Sequence, residues 1–208
     1  MSLIAWGLTT ISRVKARMGI ADATTTWDTV LERMVAAATD TIESMAGDRR
    51  FKSATYTSEV YSGEDGQKTM VLLRHFPVTT LTSAYYRAGD PETPNWTAFD
   101  ATEYELINDK EPRRVRIYSK VPAGQNNLRF TYVAGYLIDF ANDTDVTKHT
   151  LPFDVSDLCE RMVISKWKQR ESEGKINEAG AEASVSWRDG LSKDDVELIR
   201  GLNPPLFA

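Results

Sequence analysis

Hydrophobic and polar positions change rhythm twice along this chain. Up to about residue 46 the apolar residues recur every three or four positions, the period of a helix with one buried face. A first helix begins at Thr10, whose hydroxyl suits an N-cap. Ile11, Val14 and Met18 follow on one side, and Gly19 is placed to end it. The polar stretch "ADATTT" leads to a second, longer helix, with a stripe of Trp27, Val30, Leu31, Met34, Ala38, Ile42 and Met45. Thr26 is the expected N-cap of this helix and Gly47 its stop. Asp28, Glu32, Arg33, Asp40 and Glu43 fall mostly on its other faces.

After "GDRRF" the period drops to two. "ATYTSEVYSG", "TMVLLRHFPV", "LTSAYYRAG", "YELINDKEPRRVRIYSK" and "LRFTYVAGY" are rich in β-branched and aromatic residues and alternate as half-buried strands do. Asp65-Gly66 and Asn108-Asp109 are turn candidates. "VPAGQNN" reads as a loop. In the last of these segments Leu128, Phe130, Tyr132 and Ala134 share one side, opposite Arg129, Thr131 and Val133. About six short strands are expected between residues 54 and 134, forming a small antiparallel unit.

The helical rhythm then returns. Past the polar "LIDFANDTDVTKHT", Leu151-Pro152 opens a third helix with Val155, Leu158, Cys159, Met162, Val163 and Trp167 on one broad face. Lys166, Lys168 and Arg170 suit its C-terminal end. "ESEGKINEAGAEAS" is polar and rich in small residues, and is expected to be mobile or to order on assembly. "SKDDVELIRGL" predicts a short final helix with a Ser cap, and the sequence ends in "NPPLFA". The expected fold class is α+β: about four helices, with an antiparallel β insertion between the second and third. The expected division is a helical core of 1–50 and 151–208, with an insertion of 51–150.

Composition narrows the function more than the fold. The chain has 208 residues, 41% hydrophobic and 26% charged, with a formal net charge of -5. Divided at residues 50 and 150, no segment is net basic, so there is no large electrostatic footprint for gripping nucleic acid. The single cysteine, Cys159, excludes an intrachain disulfide, fits a reducing compartment and sits in an apolar helical pattern. No signal-peptide pattern stands at the N-terminus, and no apolar run approaches the ~20 residues of a membrane span.

Candidate chemistry is sparse. His75 lies in an apparent strand and His149 in a polar loop, neither with a second ligand at metal spacing. Walker, dinucleotide and nucleophile-elbow motifs are absent. Asp143/Asp145 and Asp194/Asp195 read as solvated pairs. The expectation is no enzyme, no cofactor and no metal. Arg113, Arg114 and Arg116 cluster in one segment, with Lys110 and Lys120 nearby. They read either as a solvated strand face paired with Glu103 and Glu105, or as a contact with another subunit or with DNA. Trp96, Tyr85, Tyr86 and Tyr104 could line a ligand pocket, or serve as core and interface aromatics.

The order of elements resembles a known family. "TISRVKARMGI", "WDTVLERMVAAATDTIESM" and "RRF" are followed by "RHFPVTTLTSAYYRAG", "RFTYVAGY" and "LPFDVSDLCERMVISKWKQR". Together they resemble the head–tail connector (adaptor) proteins of tailed bacteriophages and gene-transfer particles, in the longer form with a β insertion. The most telling positions are Thr10-Ile11 with Val14-Lys15 and Met18, then "FPVTTLTSAYY" and "YVAGY".

The resemblance implies a structural protein of the particle neck, assembled in the host bacterial cytoplasm. It implies a ring of copies, commonly twelve, beneath the portal protein, which extends the DNA channel and offers a platform to a stopper or tail-completion protein. DNA would pass without sequence-specific contact. The C-terminal tail, with Leu202, Pro204, Pro205, Leu206 and Phe207, is the portal-docking candidate. Two prolines limit the backbone freedom lost on binding, and the apolar side chains call for a cover. Two other readings are a stopper protein of the same neck and a carbohydrate-binding β module.

Overall fold

The computed structural model describes residues 7–63, 69–87, 95–107, 112–121, 123–172 and 193–201. Four helices and seven strands are present among them, with every strand lying between the second and third helices in chain order. The chain divides into two units, residues 1–51 with 138–208 and residues 52–137. The segment 138–150 therefore groups with the helices, whereas the sequence pattern places the boundary at 150.

In the helical unit, α1 spans Ile11–Met18. Thr10 Oγ1 accepts the Arg13 backbone N–H at 3.3 Å, and Gly19 closes the helix at φ 72°. That is the left-handed conformation a glycine adopts at no steric cost. Lys15 is buried, and its ammonium lies 2.5 Å from Asp28 Oδ1 and 3.1 Å from the Asp22 carbonyl. One buried cation thus ties α1 to the connecting loop and to the start of α2.

Helix α2 spans Asp28–Met45. Its N-cap is Trp27, without a side-chain cap bond, where the sequence pattern places Thr26. The buried stripe runs Leu31, Val35, Ala38, Thr39, Ile42 and Glu43. It is rotated from the expected one: Trp27 and Met45 are 39% and 37% exposed, and Val30 and Met34 are half-buried. Threonine and glutamate enter the stripe because each has a polar task. Thr39 Oγ1 accepts the buried Leu8 N–H at 3.2 Å. Glu43 accepts the Phe51 N–H at 3.0 Å and pairs with Arg50 at 3.1 Å.

Helix α3, Phe153–Ser172, buries Val155, Leu158, Cys159, Met162, Val163 and Trp167, the face that the sequence predicts. Helix α4, Lys193–Gly201, buries Ile199 and Asp195. Asp195 is not a solvated first-turn residue: it meets the Arg161 guanidinium at 2.7 Å. Asp143 likewise forms an ion pair, with Arg13. Arg13, Arg17 and Arg161 with Asp143, Asp157, Glu160 and Asp195 thus make a line of ion pairs joining α1, the 138–150 segment, α3 and α4.

The β unit holds two antiparallel sheets. One has the order β1-β7-β3-β4, from Ala54–Tyr61, Leu128–Ala134, Val78–Tyr86 and Thr97–Ala98. The other has the order β2-β6-β5, from Met70–Leu72, Arg114–Ile117 and Tyr104–Ile107. Strand β7 is the central member of the first sheet's pairing and alternates strictly, with Leu128, Phe130, Tyr132 and Ala134 buried. These four share one core with Val71, Val115 and Ile117 of the second sheet. The two-residue β4 is an addition to the six strands expected.

The expected strand "TMVLLRHFPV" is much shorter than its pattern. Met70–Leu72 pairs as β2, the chain leaves the ladder through 73–77, which includes a cis Phe76-Pro77 bond, and Val78 already belongs to β3. The backbone donors there find other acceptors. Leu73 N–H reaches the Arg113 carbonyl at 2.8 Å, and the N–H groups of Arg74 and His75 reach the hydroxyls of Tyr61 and Tyr132. Buried backbone donors must be satisfied, and here two tyrosines replace a neighbouring strand. At the end of β7, Gly135 has φ 107°, and a Cβ there would stand 2.8 Å from the Lys52 and Ser53 backbone. A glycine is required for this close crossing. The expected turns at Asp65-Gly66 and Asn108-Asp109, the 173–192 stretch and the tail from Leu202 lie outside the described residues.

Candidate functional site

The β unit contains the densest polar constellation. A bulge in β1 between Tyr56 and Glu59, with Ser58 at φ 57°, shifts the register against β7. The Glu59 carboxylate accepts from the Tyr132 hydroxyl at 2.6 Å and the Tyr61 hydroxyl at 2.8 Å. His75 Nε2 lies 3.2 Å from its other oxygen. Tyr56 stacks on the His75 ring at 3.7 Å, and the Arg74 guanidinium lies 4.7 Å from the centre of the Tyr61 ring.

Burial dominates the proton affinities of this cluster. It pushes the Tyr61 phenol up to about 12. The Tyr132 phenol is also raised, by burial first and by Glu59 after it. Burial lowers the His75 pKa against the opposing pull of Glu59. Phenols held protonated, with a neutral imidazole, make a set of hydrogen-bond donors rather than a proton relay poised near neutrality. The arrangement pins the 73–77 segment to the bulge.

His149, far along the chain, does different work. It is buried, its Nδ1 accepts the Asp139 N–H at 3.2 Å, and its ring lies between Phe140 and Phe153. Cys159 is buried beside Thr39 and burial raises its thiol pKa to about 12, so no thiolate forms there at neutral pH. Among the described residues no group of three or more His, Cys, Asp or Glu could hold a metal ion.

The four aromatics that could have lined one pocket are divided between two environments. Tyr86 and Tyr104 pack onto the core and flank Phe99. Tyr85 and Trp96 instead enclose Arg129, whose guanidinium carbon is 4.5 Å from one ring centre and 4.6 Å from the other. Arg87 adds a second guanidinium, 5.2 Å from the Trp96 ring. Alternation along β7 produces this: Arg129 points away from the face that carries Leu128 and Phe130. The signal was legible as the polar side of that strand, but nothing local shows that Trp96, over thirty positions earlier, would meet it.

The arginine segment is also split. Arg114 and Arg116 share the exposed side of β6, and Arg116 pairs across the ladder with Glu105 at 3.4 Å. The Arg113 guanidinium sits 4.8 Å from the centre of the Phe76 ring. The tail candidates Leu202, Pro204, Pro205, Leu206 and Phe207 lie outside the described residues.

No protein-family model and no curated protein matches the chain. Among solved structures, a chain from the "Neck of empty GTA particle computed with C6 symmetry" superposes with a TM-score of 0.53 at 16% identity, over 91% of this chain and 87% of that one. A chain from the "Neck of native GTA particle computed with C12 symmetry" gives 0.48 at 18% identity, over 83% and 82%. The chain therefore shares its α+β fold, over nearly its whole length, with a protein of the neck of a gene-transfer-agent particle.

Proposed function

We propose that this chain is a structural head–tail adaptor of a tailed phage or phage-like particle. Copies form a ring under the portal protein, extend the DNA channel, and present a platform to a stopper or tail-completion protein. The observation that carries the reading is the shared fold with a neck protein over 91% of the chain. The site chemistry supports the same reading. Among the described residues the histidine and tyrosine clusters hold backbone segments in place. A net charge of -5 suits a channel wall past which DNA slides without being gripped. In this reading the protein resides in the virion neck, and the apolar, proline-containing tail from Leu202 docks on the portal in an extended form.

A stopper protein of the same neck remains the second reading, because it shares partners and location. The carbohydrate-binding module has lost its main support, since its four aromatics do not line one pocket. Light scattering of the full chain, alone and mixed with its portal protein, tests the proposal. A ring, or a stoichiometric complex with the portal, is the expected result. A monomer that ignores the portal overturns it. Deleting residues 203–208 is expected to weaken portal binding without unfolding the chain.

A further inference from the structure

Helix α2 carries two apolar rows. The stripe of Leu31, Val35, Ala38 and Ile42 is buried in the core of the helical unit. A second row, Trp27, Val30, Met34, Ala37, Thr41 and Ser44, recurs in alternating steps of three and four and is half-buried or exposed along its whole length. That spacing is the seam one helix presents to another. Within a single chain the row is only partly covered. Trp27 is fixed edge-on against Trp167 and still exposed, and Met45, at the far end of the helix, is exposed too.

The row is symmetric about Ala36 and Ala37. Trp27 and Met45 lie about equally far to either side of that pair, and so do the exposed Arg33 and Asp40, which flank the row along one edge. Laid antiparallel on a second copy, the row meets itself large against small: Met34 against Ala37, and Trp27 against Ser44 and Met45. The central alanines let the two backbones approach closely. Arg33 of each copy then faces Asp40 of the other. A parallel pairing would set Arg33 against Arg33 and Asp40 against Asp40. Charges flanking an apolar seam choose the orientation of paired helices in this way.

We propose that the second row of α2 is a docking surface for another copy of this chain, in an antiparallel, two-fold pair. The helix has 18 residues and is therefore about 27 Å long. The paired face falls at the low end of the range for specific interfaces, so the pair is expected to dissociate at micromolar concentration. A two-fold pair points its copies in opposite directions, whereas copies ringed under one portal all point the same way. The pair is thus a state of the chain before assembly, covering the row until the portal recruits single copies. This role before assembly rests on the ring reading; the contact itself does not.

Sedimentation of the full-length chain across the micromolar range tests the contact, and a monomer–dimer equilibrium is expected. Arg33→Asp and Asp40→Arg, each alone, set like charges against each other and are expected to weaken the dimer about tenfold or more. Combined in one chain they restore opposite charges, and the dimer is expected to return. Cross-linking reads the direction. The one native cysteine, Cys159, is buried, so Ala37→Cys adds a single accessible thiol, which meets its own copy at the two-fold axis. Ser44→Cys stands about 20 Å from its copy, at ~1.5 Å per residue, beyond disulfide reach. Oxidation is expected to join the first variant and not the second, and a circular-dichroism melt of each variant checks its fold. A wild type that stays monomeric throughout, or that closes into rings without its portal, overturns the pair. So do single charge variants that dimerise as wild type does, a double variant that fails to recover, and Ser44→Cys linking as readily as Ala37→Cys. Added portal protein separates the two readings. A dimer that gives way to a portal-bound complex supports its role before assembly, and a dimer indifferent to the portal overturns the ring reading and that role while the contact stands.

Discussion

The two units solve the problem of a buried polar group in opposite ways. In the helical unit the core is mainly aliphatic, with Phe51 and Trp167, and polar groups enter it singly: Lys15 onto Asp28, Thr39 onto the Leu8 backbone, Glu43 onto the Phe51 backbone. The ion pairs run along its outside. In the β unit the polar groups are gathered into one network, where Tyr61, Tyr132, Glu59 and His75 satisfy each other and the backbone of 73–77. Helices satisfy their own backbone, so their side chains are free for packing. A sheet broken by a proline leaves donors that side chains must meet. The lesson is that buried tyrosine hydroxyls here substitute for secondary structure.

The comparison is open to direct test, and the largest effect belongs to the β unit. Gly135→Ala places a methyl 2.8 Å from the Lys52 backbone at φ 107°. A loss of about 3 kcal/mol or more is expected, seen in a chemical-denaturation curve. Hydrogen exchange should localise the loss to strands β1 and β7. A wild-type curve would show that the crossing tolerates a side chain. In the helical unit, Leu158→Ala removes a fully buried side chain and is expected to cost about 2–5 kcal/mol, with exchange increasing in α2 and α3. If protection fell first in the strands, the units would not be separately stabilised.

A smaller effect distinguishes a network from single contacts. Tyr132→Phe deletes the hydroxyl shared by Glu59, Tyr61 and the His75 backbone, and about 1–3 kcal/mol should be lost. Glu59→Gln should cost less after that change than before it, in a double-mutant cycle. Strict additivity would mean that the hydroxyl and the carboxylate act independently. The helical Thr10→Ala, removing one cap, provides the single-contact reference at about 1 kcal/mol.

The smallest effect is a pH dependence. The folded pKa of His75 is lowered, chiefly by burial, so the folded state favours the neutral ring. As pH falls through the unfolded value of about 6.5, the unfolded chain takes up the proton first. Stability from this residue is therefore complete above that pH and declines below it, toward the depressed folded value. Denaturation midpoints measured down this window should drop less in His75→Asn than in wild type. Equal slopes would show that Glu59 offsets the burial fully.

Much of this architecture was legible locally. The period of 3.6 placed α3 and its buried face, and Thr10 and Gly19 marked both ends of α1, because caps and amphipathic stripes are properties of a few adjacent residues. The strict alternation of 128–134 assigned the core side of β7 for the same reason. What local pattern could not supply depends on partners distant in the chain. The stripe of α2 turned toward Val35 and Thr39 because neighbouring elements, not propensity, chose its face. "TMVLLRHFPV" alternated well enough to be a strand but lost its ladder after Leu72. The site followed the same division. The polar side of β7 carries Arg129, yet only the fold brought Tyr85 and Trp96 around it. The sequence by itself determined which elements form and which side of each is apolar, since those follow from spacing along the backbone. Tertiary structure alone decided which polar groups are matched within the chain, because charge pairing is set by distance in space.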